Sequence, residues 1–157
     1  MLSFATALNR EVETIKRPPP LPVGSYVFRV TKMPDPPEKF TAKASGVAFE
    51  RLTFVCAALS ALDDVAPEEL AAFGDPAGTP SSHTFLFNTQ DETAFEGTLN
   101  RVKSFMEQCG IDMTTGTLGE KLIEIPNAQF GATISHRLDP NDPSGVPFAQ
   151  IDRTFKL

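Results

Sequence analysis

The hydrophobic pattern changes period several times along the chain, and each change marks an element. Phe4, Leu8, Val12 and Ile15 recur every three or four positions, which predicts a short amphipathic helix at the N-terminus. Pro18, Pro19 and Pro20 cannot continue it, so residues 1–20 read as a helical arm and a proline linker ahead of a main domain spanning 21–157. Val23 to Thr31 is rich in aromatic and β-branched residues and reads as a first strand, ended by Pro34, Pro36 and Pro37. Met33 to Gly46 reads as a loop, and Val47 to Ala57 alternates as a second strand. Ser60 to Pro80 is acidic and rich in Ala, Gly and Pro; residues 59–81 are therefore expected to form an insertion, with one short helix starting at Pro67-Glu68-Glu69. His83 to Phe87 is a third strand.

The clearest helix follows. Thr89 and Glu92 fit a capping box, Phe95, Leu99, Val102, Met106 and Cys109 mark one face, and Gly110 stands where a left-handed C-cap belongs. Lys121 to Ile125 and Gln129 to Arg137 are expected to form a fourth strand bent at Pro126, and Pro147 to Phe155 a fifth. The turn-forming run Asp139 to Gly145 joins these two. The fold class that results is mainly β: a five-stranded OB-fold-like barrel with a helix between strands three and four, plus the N-terminal helix and the acidic insertion. Such barrels bind oligonucleotides or oligosaccharides on strands two and three and the loops beside them. A β-sandwich, or an α+β sheet with one covering helix, matches the same string of elements.

Charge then narrows the function. The chain carries a net −6, distributed as −9 from Leu59 to Glu120, +3 from Met1 to Ala58 and zero from Lys121 to Leu157. An acidic body disfavours unspecific duplex binding but leaves room for a local basic groove in the first 58 residues. Single-strand binding needs cations for phosphates and ring faces for bases. The candidates are Tyr26, Arg29 and Lys32 on and after strand one, Lys39, Phe40 and Lys43 in the following loop, Phe49 and Arg51 on strand two, and Arg137 at the last loop. Phe28, Phe54, Phe85 and Phe130 read as core, whereas Phe40 lies among charged and small residues.

Catalytic signatures are thin. His83 and His136 lack metal-ligand spacing, Asp63-Asp64 and Glu68-Glu69 sit in the insertion without rigid support, and neither a phosphate loop nor a nucleophile elbow occurs. No metal, no cofactor and no enzymatic role are therefore expected. Cys56 and Cys109 lie in apolar periodic segments and read as buried free thiols, which suits a reducing cytoplasm. No run approaches the roughly 18 apolar residues of a membrane span, and the N-terminus lacks the basic-then-apolar order of a secretory signal.

Four stretches carry a family resemblance: Leu21-Pro22-x-Gly24-x-Tyr26, the helix end at Cys109-Gly110-Ile111, Leu118-Gly119-x-Lys121, and Ser135-His136-Arg137-x-Asp139-Pro140-Asn141-Asp142. In these, over roughly residues 20 to 157, the chain resembles a phage-encoded family of single-stranded-DNA-binding-like proteins from replication and recombination modules. The resemblance implies an OB-type barrel, single-stranded DNA as partner and the cytoplasm of the host cell as location. The alternative is a structural or adaptor protein of a viral or multiprotein assembly on the same scaffold. The apolar stripe of the arm, too short to fold alone in water, is expected to dock on its own barrel or to mediate self-association.

Overall fold

A computed structural model describes residues 2–12, 18–141 and 145–157. Its elements run α1 (Phe4–Ala7), β1 (Gly24–Val30), β2 (Glu38–Thr41), β3 (Ala48–Ala61), α2 (Pro67–Phe73), β4 (Pro80–Asn88), α3 (Glu92–Gln108), α4 (Leu118–Glu124), β5 (Gln129–Arg137) and β6 (Phe148–Phe155). All six strands join one antiparallel sheet.

β3 organises that sheet. One of its edges pairs with β4 from Phe49 to Ala57. The other edge is shared: Ala48–Arg51 pair with β2, and Cys56–Ala61 pair with β1. β1 pairs in turn with β5, and β5 with β6. The rows therefore lie in the order β4-β3-β1-β5-β6, with β2 continuing the line of β1. Register shifts between Val27 and Phe28 and between Thr133 and Ile134 add local twist and help curl the sheet. β6 approaches β4, but no ladder joins them among the described residues. The mainly β class holds, and the expected five-stranded, closed or nearly closed OB-fold-like barrel is corrected to a curled six-stranded sheet with an open seam.

Alternation places the core. Tyr26, Phe28 and Val30 of β1, Leu52, Phe54, Cys56 and Ala58 of β3, Phe85 and Phe87 of β4, and Phe130, Ala132 and Ile134 of β5 all point to one face and are buried. α3 covers that face with Val102, Phe105 and Met106, and Phe95 and Leu99 pack at the margin. Phe105 is the hub: its ring lies 5.0 Å from that of Phe54 and 4.9 Å from that of Phe130. Phe130 stacks in turn on Phe28 at 5.8 Å. Burial pushes the Cys56 and Cys109 thiols up to about 12, so both free cysteines are inert packing groups at neutral pH.

The insertion is tied down at its base. Ser25 donates both its backbone N–H and its hydroxyl to the Asp64 carboxylate, at 2.8 and 2.7 Å, and these bonds hold that carboxyl below its ordinary pKa. Val65 packs so closely on Gly24 (φ +142°) that a Cβ there would lie 2.6 Å from the valine side chain, so only glycine fits. α2 begins at Pro67 and carries Glu68 and Glu69 in its first turn, as the sequence predicts.

Four local expectations are corrected. Glu38–Thr41, expected as loop, is β2, closed onto β3 by a hairpin in which the Ala42 N–H donates to the Val47 carbonyl. Lys121–Ile125, expected as strand, belongs to α4 and its C-cap, because Thr117 and Glu120 form a true capping box that starts a helix. The α3 cap is Asp91, whose side chain accepts from the Ala94 N–H; Thr89 is drawn instead to the Ala48 carbonyl at the end of the β3–β4 ladder. Among the described residues the N-terminal helix is Phe4–Ala7, and residues 2–12 are exposed, so this part of the arm does not dock on its own sheet. Ile15 lies outside the described residues.

His83 pairs with Phe54, so it faces inward, and its ring packs against those of Phe85 at 4.6 Å and Phe105 at 4.9 Å. Burial lowers its pKa from 6.5 to about 4. Between those values the unfolded chain holds a proton that the folded chain excludes, so stability falls as pH drops through the window and is flat above it. The full loss is of order 3 kcal/mol. Urea unfolding at pH 7 and pH 4.5 is expected to show that decline, and His83→Phe is expected to remove most of it.

Candidate nucleic-acid interface

The outward face of the sheet is set by the same alternation. Cross-strand partners share a face, so the pairs Phe40–Phe49 and Glu38–Arg51 of β2 and β3 project together away from the core. Leu86 and Asn88 of β4 extend this patch on the far side of β3, opposite Arg51 and Phe49. Phe40 and Phe49 stack with ring centroids 5.5 Å apart and an interplanar angle of 17°. The Arg51 guanidinium lies 4.5 Å from the centre of the Phe40 ring and 3.7 Å from the Glu38 carboxylate. Both ends of that ion pair are well exposed, so Glu38 holds Arg51 weakly.

Two cations flank the stack. Lys39 is exposed on β2 beside Phe40, on the opposite face, and Lys43 is exposed on the β2–β3 hairpin. On the outward side, Arg51 and Lys43 stand against Glu38, so the patch carries more positive than negative charge. A shallow depression is lined by Lys39, Phe40, Phe49, Glu50 and Thr89, and both rings are half-buried. The arrangement offers a π surface, a guanidinium with its Glu38 carboxylate, and exposed ammonium groups nearby.

The other candidates fall elsewhere. Tyr26 is completely buried, with its hydroxyl donating to the Pro22 carbonyl at 2.8 Å and its pKa pushed up to about 12, first by burial and then by Asp64 and Glu69. It is a core residue and cannot stack on a base. Arg29 is on the outward face but farther along the sheet, where it donates to the Asn127 side chain at 3.2 Å. Lys32 follows β1 and makes an exposed ion pair with Asp35 at 3.5 Å. Arg137 lies at the opposite end of the β1–β5 ladder, 5.5 Å from the centre of the Phe148 ring. The structure thus joins Phe40, Phe49 and Arg51, with Lys39 and Lys43 beside them, and leaves Tyr26, Lys32, Arg29 and Arg137 apart.

Leu86, Asn88 and Phe148 were missed as surface neighbours. The outward parity of Leu86 and Asn88 is legible once the inward parity of Phe85 and Phe87 is assigned, whereas the Arg137–Phe148 contact has no local sequence signal. Among the described residues, no group of three or more His, Cys, Asp or Glu side chains is arranged to hold a metal ion, and no helix is long and apolar enough to cross a membrane. Comparison with known proteins finds no matching family model and no matching curated protein.

The stack is partly exposed and sits on a short outer strand. Phe40→Ala is expected to lower stability by about 0.5–1.5 kcal/mol without unfolding the chain, as measured by urea titration. A loss comparable to that of a buried phenylalanine would show that β2 is integral to the core.

Proposed function

We propose that this chain is a non-enzymatic single-stranded DNA-binding protein that holds the strand on the outward face of β2 and β3, in the manner of an OB-type fold. The single observation that carries this is the Phe40–Phe49 stack under the Arg51 guanidinium, with Lys43 on the adjoining hairpin and Lys39 at the strand's other side. Bases stack on exposed rings without sequence preference, and the cations neutralise phosphates. The connectivity supports the same reading: β1, β3 and β4 form a three-strand meander, and after α3 and α4 the β5–β6 hairpin returns to β1, an order compatible with an OB-type fold. β2 is then an elaboration of the loop between its first two strands. The resemblance to phage single-strand-binding-like proteins points to replication or recombination as the setting.

The acidic remainder of the chain limits attachment to duplex, so the binding is local and modest. A second reading, an adaptor in a multiprotein assembly, is favoured by an apolar groove on another part of the surface.

Fluorescence anisotropy with labelled oligo-dT is expected to show binding at low salt that weakens steeply as salt rises, with duplex bound less well. Each phosphate neutralised contributes about −0.7 to the slope of log K against log salt. Replacing Lys39 and Lys43 together by Glu is expected to make that slope shallower by roughly 1.4. Phe40→Ala is expected to cost about 1–3 kcal/mol of binding. Absence of any oligo-dT binding at low salt overturns the proposal and leaves the adaptor reading.

A further inference from the structure

A groove of about 460 Å³ opens between the Met33–Pro37 turn, the first half of α3, and α4. Its floor is Leu52, Phe87, Phe95 and Leu99, and Leu118, Leu122 and Ile123 of α4 form one wall. Several of these apolar groups are open to solvent: Met33 is 47% exposed, Leu118 37% and Ile123 68%. The rim is acidic. Glu50 lines the groove, partly buried, and Asp35, paired with Lys32, lines it too. Glu92 and Glu96 of α3 and Glu120 and Glu124 of α4 lie on the flanking helices; Glu124 is paired with Lys121, and the flank stays net acidic.

The same chain carries a complementary ligand. Phe4, Leu8 and Val12 are spaced four residues apart and are 80%, 68% and 82% exposed. This is the anchor spacing with which a helix lays one face into an apolar groove. The first turn is already formed, with Ser3 as its cap. The arm is also net basic, with Arg10, Lys16 and Arg17 against Glu11 and Glu13.

We propose that the groove receives the N-terminal arm of a second copy of this chain. The placement of the arm favours a neighbour over the chain's own groove: residues 2–12 are exposed, and Met33, Leu118 and Ile123 of the groove stay open in the same chain. Leu21 is buried, and its carbonyl is held by the His136 ring at 2.6 Å. It sits before the start of β1, and the groove begins at Met33, past the other end of that strand. Pro18–Pro20 form a stiff spacer at the exit. The arm of each copy covers the groove of the other, and the exchange closes at two chains, which is the common isologous arrangement. Docking extends the helical turn, which is too short to be stable alone.

The proposal is independent of DNA binding, and its test uses the full chain without nucleic acid. Sedimentation equilibrium over a wide concentration range is expected to show the mass rising from the 17.0 kDa of one chain toward twice that. Leu8→Asp in the arm and Ile123→Asp in the groove are both at exposed positions and leave the fold intact by circular dichroism. Each is expected to raise the dimer dissociation constant roughly tenfold or more. An equimolar mixture of the two variants is expected to associate better than either alone, because it pairs an intact arm with an intact groove. A single-chain mass at every concentration overturns the proposal, as does Leu8→Asp associating as tightly as the parent. If Leu8→Asp abolishes association and Ile123→Asp leaves it unchanged, the arm docks elsewhere and the groove assignment fails.

Discussion

β3 runs for fourteen residues, from Ala48 to Ala61, longer than any other strand of the sheet, and it divides one edge between two partners. Its second half binds β1 and thereby brings in β5 and β6. Its first half, with that edge left open by β1, binds β2. Strand alternation carries one requirement through both halves: Leu52, Phe54, Cys56 and Ala58 face the core, so Phe49 and Arg51 must face away from it. A one-residue slip in β3 would bury Arg51 and expose Phe54 together. Register along this strand therefore couples the stability of the core to the outward patch.

The core itself rests on α3. Phe105 stands at the meeting point of rings from β1, β3, β4 and β5, directly or through Phe130, and His83 joins them as a neutral imidazole. The helix lies between β4 and β5 in the chain and spans the inner face of a sheet whose ends do not pair. Near the open seam, the Thr154 hydroxyl donates to the Gln108 side chain at 2.5 Å, which links β6 to the end of α3 where the strand ladder gives no bond to β4. Helix packing and side-chain hydrogen bonding thus do part of the work that a closing ladder does in a complete barrel.

Two surfaces of different chemistry result. The outward patch combines rings with cations; the groove between α3, α4 and the Met33–Pro37 turn is apolar with an acidic rim. Glu50 lies near both, since it lines the groove and borders Phe49 on the same strand. Occupancy of the two surfaces is therefore separable by residue: Phe40 and Arg51 belong to the first, Leu118 and Ile123 to the second.

Sequence alone determined what depends on near neighbours. The prolines after Arg17 and at Pro34–Pro37 break the chain, the period of α3 follows from its own apolar spacing, and Pro67-Glu68-Glu69 starts α2. The core phenylalanines Phe28, Phe54, Phe85 and Phe130 were legible because each sits in a run of strand-forming residues. Lys121–Ile125 was misread as strand because Leu122, Ile123 and Ile125 fit a short strand as well as a helix, and the Thr117–Glu120 cap that starts α4 went unread. Only the tertiary structure decided that Glu38–Thr41 is a strand, that Tyr26 is core, and that Phe40 meets Phe49 and Arg51 while Arg137 stays apart. β2 has four residues and little strand character of its own; it is extended because Ala48–Arg51 present an unpaired edge beside it. Pairing across a sheet is set by backbone groups distant in sequence, and a local pattern does not contain the identity of its partner.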